Sequence, residues 1–388
     1  MPKDGKPIRT VRPYNDRLFI DLIRTAGQMS KAELTRASGL SAQSATVIVN
    51  RLVEDGLLKA GDAIKGKVGQ PSTPYSLNPD GAISIGVKVG RRSLEVATMS
   101  LDYSILRRLV LSYDFPKLTN IRQDILDSIE TLISEMTPLQ SERIAGVGIA
   151  LPDELSAWEQ AIGAPVGAMA DWINANLEAD IASKFDLPVE TLNDASAACL
   201  AEIAVGNSNG YECFAYFYVG TFIGGGIAIG GQLFQGHQNL AGAIASLPTG
   251  ISTTSKAAQL LEGASLHYLE ETARSKALSL DTFYSNAALE PAAEAIFADW
   301  LKVAAPQIAF SAVSAQSFLD PEAIIIDSSL APEFTAQIIK AVSTAIEINY
   351  DKRGLANINL IPGENGISAR AIGSGIAPLL SEFGLETN

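Results

Sequence analysis

Ser41, Gln43, Ser44 and Thr46 are polar residues crowded into six positions. The later positions Val47, Val49, Leu52 and Val53 are apolar at helical spacing and are expected to face a core. Hydroxyls and a carboxamide at the N-terminal end of a helix packed along its back are groups that can reach base edges in a DNA major groove. Lys65 and Lys67, set beside Gly66 and Gly69, supply cations and close backbone approach, which suits phosphate contact. A second run, Gly220-Thr221-Phe222-Ile223-Gly224-Gly225-Gly226, could turn backbone N–H groups toward an anion, although such a run is often only a turn. Cys199 and Cys213 form no CxxC pair, and His237 and His267 have no cysteine or acidic cluster at ligand spacing. No metal and no cofactor are expected. No Gly-x-Gly-x-x-Gly opens a helix with a downstream acid, which argues against a dinucleotide oxidoreductase.

The polar positions need a scaffold, and the chain supplies its punctuation. Ser30 followed by Glu33 is a capping box, Gly39 is a helix stop, and Ser41 caps the next helix. A preceding helix starts near Arg12, carries Leu18, Phe19, Ile20, Leu22 and Ile23, and ends near Gly27. Leu57 and Leu58 are expected to pair with Tyr75 and Leu77 around a basic loop, a wing. An ordinary helical hairpin is the plainer alternative for residues 30–58; three helices followed by a basic wing make the DNA-reading module more specific. Residues 1–10 read as a tail and Pro71 to Pro79 as a linker. Beyond it, strands are expected at 83–89, 93–101, 105–115, 144–151, 189–193 and 323–327, with a hairpin around the glycine run. Helices are expected at 121–136, 171–184, 194–205, 255–275, 291–318 and 332–347. Strands alternating with helices imply an α/β body. The domains are then 1–80, 81–195 and 196–388, the last two compatible with duplicated lobes around a cleft.

The charge is unevenly placed. Residues 1–80 hold 12 Lys and Arg against 8 Asp and Glu, +4, so the remaining chain carries −18 of the total −14. A basic head on an acidic body fits a DNA-contacting module joined to a part that does not touch DNA; +4 is small enough to arise by chance. Both cysteines lie among apolar residues and read as buried free thiols in a reducing compartment. No apolar run of membrane-span length and no signal-peptide core are read, so a cytoplasmic protein is expected.

The segments RPYNDRLFIDLIRTAG, SKAELTRASGLSAQSATVIVNRLVEDGLL and KGKVGQPSTPYSLNP resemble the head of transcriptional regulators of the ROK (repressor, ORF, kinase) family. Across the body, IGVKVG, GVGIALP, LPVETLNDASAACLAE, VGTFIGGGIAIGGQLFQGHQNLAGAI, LLEGAS and DPEAIII are similar to the family's sugar-kinase-like fold. The resemblance implies an N-terminal winged helix-turn-helix followed by a two-lobed α/β, actin-like ATPase body. It implies a repressor that binds a double-stranded DNA operator as a homodimer or homotetramer under control of a small sugar-like effector. An ATP-dependent sugar kinase with an accessory DNA-binding head is the alternative.

Carried over residue by residue, the resemblance implies a degenerate kinase. The family's wing carries an arginine where Gln70 stands, in Gly69-Gln70-Pro71. The Asp-x-Gly-x-Thr phosphate element corresponds to Lys88-Val89-Gly90-Arg91-Arg92, which offers no Mg²⁺ carboxylate; Lys88 reads as a solvated surface residue. Phe222 replaces a glycine and would crowd a phosphate. Asp327-Ser328-Ser329 replaces a Gly-Gly pair and adds a carboxylate that repels phosphate. Asp194 matches the catalytic base, although an Asp at a strand-to-helix junction is otherwise a helix cap. Gly242-Ala243-Ile244-Ala245-Ser246 lacks two sugar-contacting side chains. Asn193, Asp194 and Glu262, with Ser246 as a smaller substitute and Asp153 replacing a glycine, remain as effector contacts. The zinc positions correspond to Ser246, Thr253, Ser255 and Leu260, poor ligands all. Trp158, Trp172 and Trp300 read as core or cleft-lip residues.

Overall fold

The computed structural model describes residues 11–63, 72–153, 155–159, 162–206, 209–250, 256–285, 290–351 and 353–385. They form two compact units. One comprises the chain up to Leu151, Gly167–Leu192 and the chain from Ser374 onward; the other comprises Pro152–Val166 and Asn193–Gly373.

The first unit begins with α1 (Tyr14–Ala26), which buries Phe19, Ile20 and Ile23 and stops at Gly27, whose φ of +76° suits glycine. After β1 (Gln28–Ser30), Ser30 opens α2 (Lys31–Ser38): its Oγ accepts from the Glu33 N–H, and the Glu33 carboxylate accepts from the Ser30 N–H at 2.8 Å. Both ends of the expected capping box are therefore made. Gly39 ends α2 in the left-handed region, and Ser41 Oγ caps α3 (Ala42–Glu54) by accepting the Ser44 N–H at 3.1 Å. The buried face of α3 is Ala45, Ile48, Val49 and Leu52. That set completes an i, i+3, i+4, i+7 stripe and leaves no room on the core for Val47 or Val53, which are exposed, contrary to the expectation from sequence. β2 (Leu58–Ala60) pairs antiparallel with β3 (Pro74–Leu77) in the register Leu58–Leu77 and Ala60–Tyr75. β3 also pairs with β1, giving the order β1-β3-β2. Residues 74–77 are thus the central strand of the wing sheet and not a free linker. Lys65, Lys67, Gln70 and the expected tail 1–10 lie outside the described residues.

Residue 80 lies inside this compact unit, and side chains cross it. Arg143 donates to the backbone carbonyls of Asp55, Gly56 and Asp80, each at 3.2 Å. Arg24 lies 4.1 Å over the Tyr103 ring and donates to the Leu101 carbonyl. Arg17 donates to the Gly384 carbonyl at 2.9 Å.

The unit continues with β4 (Ile83–Val89), β5 (Ser93–Ser100), β6 (Ile105–Ser112), α4 (Leu118–Ser134), α5 (Pro138–Glu142), β7 (Ile144–Leu151), α6 (Leu177–Phe185) and β8 (Val189–Asn193). The sheet order is β6-β5-β4-β7-β8, with β4 antiparallel to β5 and parallel to β7. All seven residues of β4 are buried. The chain from Ser374 belongs here because Gly148 admits it: a Cβ on Gly148 would lie 1.8 Å from the Ser374 carbonyl oxygen. Ser84 Oγ also donates to the Gly375 carbonyl. The C-terminal segment therefore leaves the 196–388 lobe to which the sequence assigned it. The single helix expected over 171–184 is broken into a 3-10 turn, Ala170–Asn174, and α6. Asn176 caps α6 by accepting the Ala179 N–H, and Trp172 is buried with Nε1 donating to the Pro116 carbonyl at 2.7 Å.

The second unit is built on β9 (Phe214–Val219), β10 (Gly224–Ile229), β11 (Gln232–Leu233), β12 (Ala323–Ser328) and β13 (Leu360–Pro362), in the order β11-β10-β9-β12-β13. α7 (Asp194–Val205) precedes β9; α8 (Leu260–Ala264), α9 (Leu266–Ser275), α10 (Asp281–Tyr284) and α11 (Pro291–Leu319) lie between β11 and β12; α12 (Pro332–Asn349) follows β12, and α13 (Ala369–Phe383) starts in this unit, its residues from Ser374 belonging to the first. β9 and β12 are parallel and wholly buried. Their alternate residues explain why. Ala215, Phe217, Val219, Ile324 and Ile326 join the core with α9, α11 and α12, while Phe214, Tyr216, Tyr218, Ala323 and Ile325 pack with α7. The helix expected over 255–275 is two helices, broken at Ser265. By length and composition α11 could cross a membrane, where the sequence reading found no such run; half of that stretch is buried inside the fold, including Ile296, Phe297 and Ile308.

Candidate nucleic-acid interface and effector site

On α3, Ser41, Gln43 and Ser44 are exposed and Thr46 is half-buried. The hydroxyls already have local partners. Ser41 and Ser44 Oγ lie 2.9 Å apart, and Thr46 Oγ1 donates to the Ala42 carbonyl at 2.8 Å. Gln43 makes no side-chain hydrogen bond to a described residue, so its carboxamide is available to an outside partner. Five residues that the sequence reading did not assign to this surface surround Gln43 and Ser44. Gln43, Ser44, Val47 and Arg51 share an open depression of about 390 Å³ with Pro13, Asn15 and Ile48. Arg51 is held there by the buried Asp16 carboxylate of α1, which also faces Arg12 at 3.8 Å. Arg12 in turn reaches Asp55 at 2.7 Å. The signal for Val47 lay in the helical stripe, which Ala45, Ile48, Val49 and Leu52 fill without it.

In the second unit, Asn193 Oδ1 accepts the N–H groups of Ala195 and Ser196, capping α7, and its Nδ2 donates to Asp153 Oδ2 at 2.8 Å. Asp194 follows in the first turn, where its charge suits the helix dipole. Its Oδ2 lies 3.4 Å from Arg370 Nη1, and both side chains are largely buried. The Arg370 guanidinium sits 5.0 Å over the Tyr218 ring. Burial pushes the Tyr218 phenol up to about 12, against the pull of Arg370. Three of the expected effector residues, Asp153, Asn193 and Asp194, are therefore adjacent. Glu262 is spent on the capping box of α8, its Oε1 accepting the Gln259 N–H at 3.2 Å. Ser246 ends the 3-10 turn Ile244–Ser246, which packs against α8. No hydrogen bond or ion pair joins Glu262 or Ser246 to Asn193 or Asp194.

The glycine run is pinned. Gly220 and Thr221 accept at their carbonyls from the Leu266 and His267 N–H groups, and the Ile223 N–H donates to Ser265 Oγ at 3.1 Å. Gly224 and Gly226 lie in β10 under α7, where a Cβ would meet Ala195 at 2.6 Å and Cys199 at 2.4 Å. Those glycines are required by helix-on-strand packing. The Phe222 ring stands 4.0 Å from Trp158 and 5.6 Å from His267, and Thr221 Oγ1 reaches the buried Glu270, which also pairs with Arg274 and Tyr284. Trp300 is buried, with Nε1 donating to the Ser265 carbonyl.

Two expectations are corrected. Lys88 is not a solvated lysine: it is 5% exposed and its Nζ donates to Ser93 Oγ at 2.8 Å, across the β4–β5 turn. Asp327 is not an open carboxylate facing a ligand. It is 2% exposed and accepts from the Tyr216 hydroxyl and the N–H groups of Ser328 and Gly366. Burial raises its pKa, and these hydrogen bonds oppose the rise. Cys199 is fully buried, whereas Cys213 is only partly so. Thr253 and Ser255 lie outside the described residues, and Leu260 is a core residue. Among the described residues no three His, Cys, Asp or Glu side chains cluster as metal ligands.

The profile of the ROK family matches residues 84–373. The xylose repressor of Bacillus spizizenii is 24% identical over 234 residues, which is 60% of this chain and 59% of that protein; the match spans less than two thirds of the relative's length. A crystal structure of a ROK family transcriptional regulator, a homologue of the E. coli MLC protein, superposes with a TM-score of 0.65 at 18% identity, covering 96% of this chain and 98% of the other. A ROK family glucokinase from Streptomyces griseus, in complex with glucose and AMPPNP, gives a TM-score of 0.57 at 20% identity over 76% of this chain and 99% of its own. These structural likenesses concern the fold. Since the profile covers well over half of the 388 residues, the chain belongs to the ROK family.

Proposed function

We propose that this protein is a cytoplasmic transcriptional repressor that reads double-stranded DNA through α3, binds a small sugar-like effector in its body, and transfers no phosphate. The observation that carries the reading is the division of α3. Its Ala45–Leu52 stripe is buried, and the front residues Ser41, Gln43 and Ser44 are exposed beside a winged sheet. Such a helix enters a major groove, and two heads in a homodimer or homotetramer would meet half-sites ~34 Å apart. The likeness to a xylose repressor favours a sugar-like effector. Asp153, Asn193 and Asp194 offer the closely spaced acceptors and donors that hydroxyl groups need.

Several contacts speak against phosphoryl transfer, which needs a free base and an anion cradle. Asp194 faces Arg370, the Ile223 N–H is taken by Ser265, and the Phe222 ring packs, tilted, against Trp158. Two measurements test the proposal. Gel shift of the full chain on its own upstream region at low salt should give a specific complex, weakened by one member of a panel of pentoses, hexoses and their phosphates. ADP release over the same panel should stay at background. Turnover that is lost in Asp194→Asn would establish the kinase reading instead.

A further inference from the structure

The exposed Val47 has no structural task that the fold reveals. It is 56% exposed, in the middle of a 13-residue helix whose core stripe is complete without it. A single exposed valine is ordinary on a surface. This one, however, shares the depression with Gln43 and Ser44, one turn further along the same face. Arg51, one turn beyond, is fixed by Asp16 at the rim. The order along that face is amide, hydroxyl, isopropyl, guanidinium.

That order matches what the major groove displays. Adenine offers N6–H and N7 to a carboxamide, and only thymine projects a methyl group. Gln43 and Val47 are separated by roughly 6 Å along the helix axis, about two steps of ~3.4 Å along a DNA strand. We propose that Val47 reads sequence, packing its isopropyl group against the 5-methyl of a thymine within two base pairs of the base contacted by Gln43. Arg51 then holds the neighbouring phosphate. The inference rests on the DNA-binding reading above and adds a chemical identity to one operator position.

The test is selection of binding sites by the full-length protein from a library of randomised duplexes, followed by replacement of each thymine in the selected site by uracil. Uracil deletes the methyl and leaves the pairing unchanged. One position per half-site should lose about four-fold in affinity on replacement, the worth of one buried methyl group. Val47→Ala, whose folding is checked by its melting temperature, should bind the thymine and uracil duplexes equally. Enrichment of a site that tolerates uracil at every position overturns the inference and leaves the DNA-binding reading standing. So does a Val47→Ala protein that keeps the full uracil penalty. Enrichment of no sequence at all overturns both.

Discussion

Arg370 Nη1 lies 3.4 Å from Asp194 Oδ2, so a cation of the protein's own chain faces the carboxylate that begins α7. Both side chains are largely withdrawn from water, and the guanidinium also lies over the Tyr218 ring. Removing one partner leaves the other charge buried without compensation. Arg370→Met should therefore cost about 1–3 kcal/mol, read as a fall in melting temperature of ~2–4 °C per kcal/mol. Asp194→Asn combined with Arg370→Met should recover most of that loss. A double variant no more stable than Arg370→Met alone would show that the pair is not what stabilises this corner.

Arg143 and Gly56 form a second coupled pair. Gly56 has φ +74°, and a Cβ on it would lie 2.5 Å from an Arg143 guanidinium nitrogen. Gly56→Ala then suffers twice, from the left-handed backbone, about 1–2 kcal/mol, and from the displaced arginine. Arg143→Ala alone gives up three carbonyl contacts, with an expected loss of about 2 kcal/mol and faster amide exchange at Leu57 and Leu58. In the Arg143→Ala background, Gly56→Ala should cost only the backbone part. Additive losses in a double-mutant cycle would disprove the contact.

Glu190 gives a pH signature. Burial raises its carboxyl above the usual 4.5, opposed by a hydrogen bond from Ser381. A carboxylate whose folded pKa is raised destabilises the fold above that pKa, and the penalty disappears as pH falls through it toward 4.5. Glu190→Gln, which can keep an acceptor for Ser381, should be more stable than the native protein at pH 7. The difference should shrink on acidification. Melting curves between pH 7 and 4 that show a constant difference would contradict the assignment.

The parts of the molecule legible in the sequence are those whose physics is local. The Ser30–Glu33 box and the Ser41 cap each act within three residues, and both are made as expected; the cap expected at Asp194 is instead made one residue earlier, by Asn193. The strands Ile83–Val89 and Ile144–Leu151 were marked by apolar runs. What escaped depends on distant partners. Arg370 stands 176 positions from Asp194, and nothing near it in sequence announces an ion pair. Lys88 was misjudged from its residue type, because the turn that folds Ser93 back over it is visible only in the paired strands. The glycines at 224 and 226 looked like a cradle because the chain does not reveal which helix will press on them.

Ser41 and Gln43 separate the two jobs of the reading helix. Ser41 Oγ satisfies the Ser44 N–H, and Ser41→Ala should lower stability by about 1 kcal/mol, the usual worth of such a cap. Its effect on DNA affinity should follow only from the loosened first turn. Gln43 is exposed and makes no side-chain hydrogen bond to a described residue, so Gln43→Ala should leave the melting temperature within about 1 °C of native. If its carboxamide reads a base, the same change should weaken the selected site by about 1–3 kcal/mol and relax the sequence preference at one position per half-site. Substitution of a phosphate-contacting cation would instead weaken all sequences alike and flatten the salt dependence. A Gln43→Ala protein with unaltered preference would place base recognition elsewhere on the head, and Val47 would then have to be assigned without its neighbour.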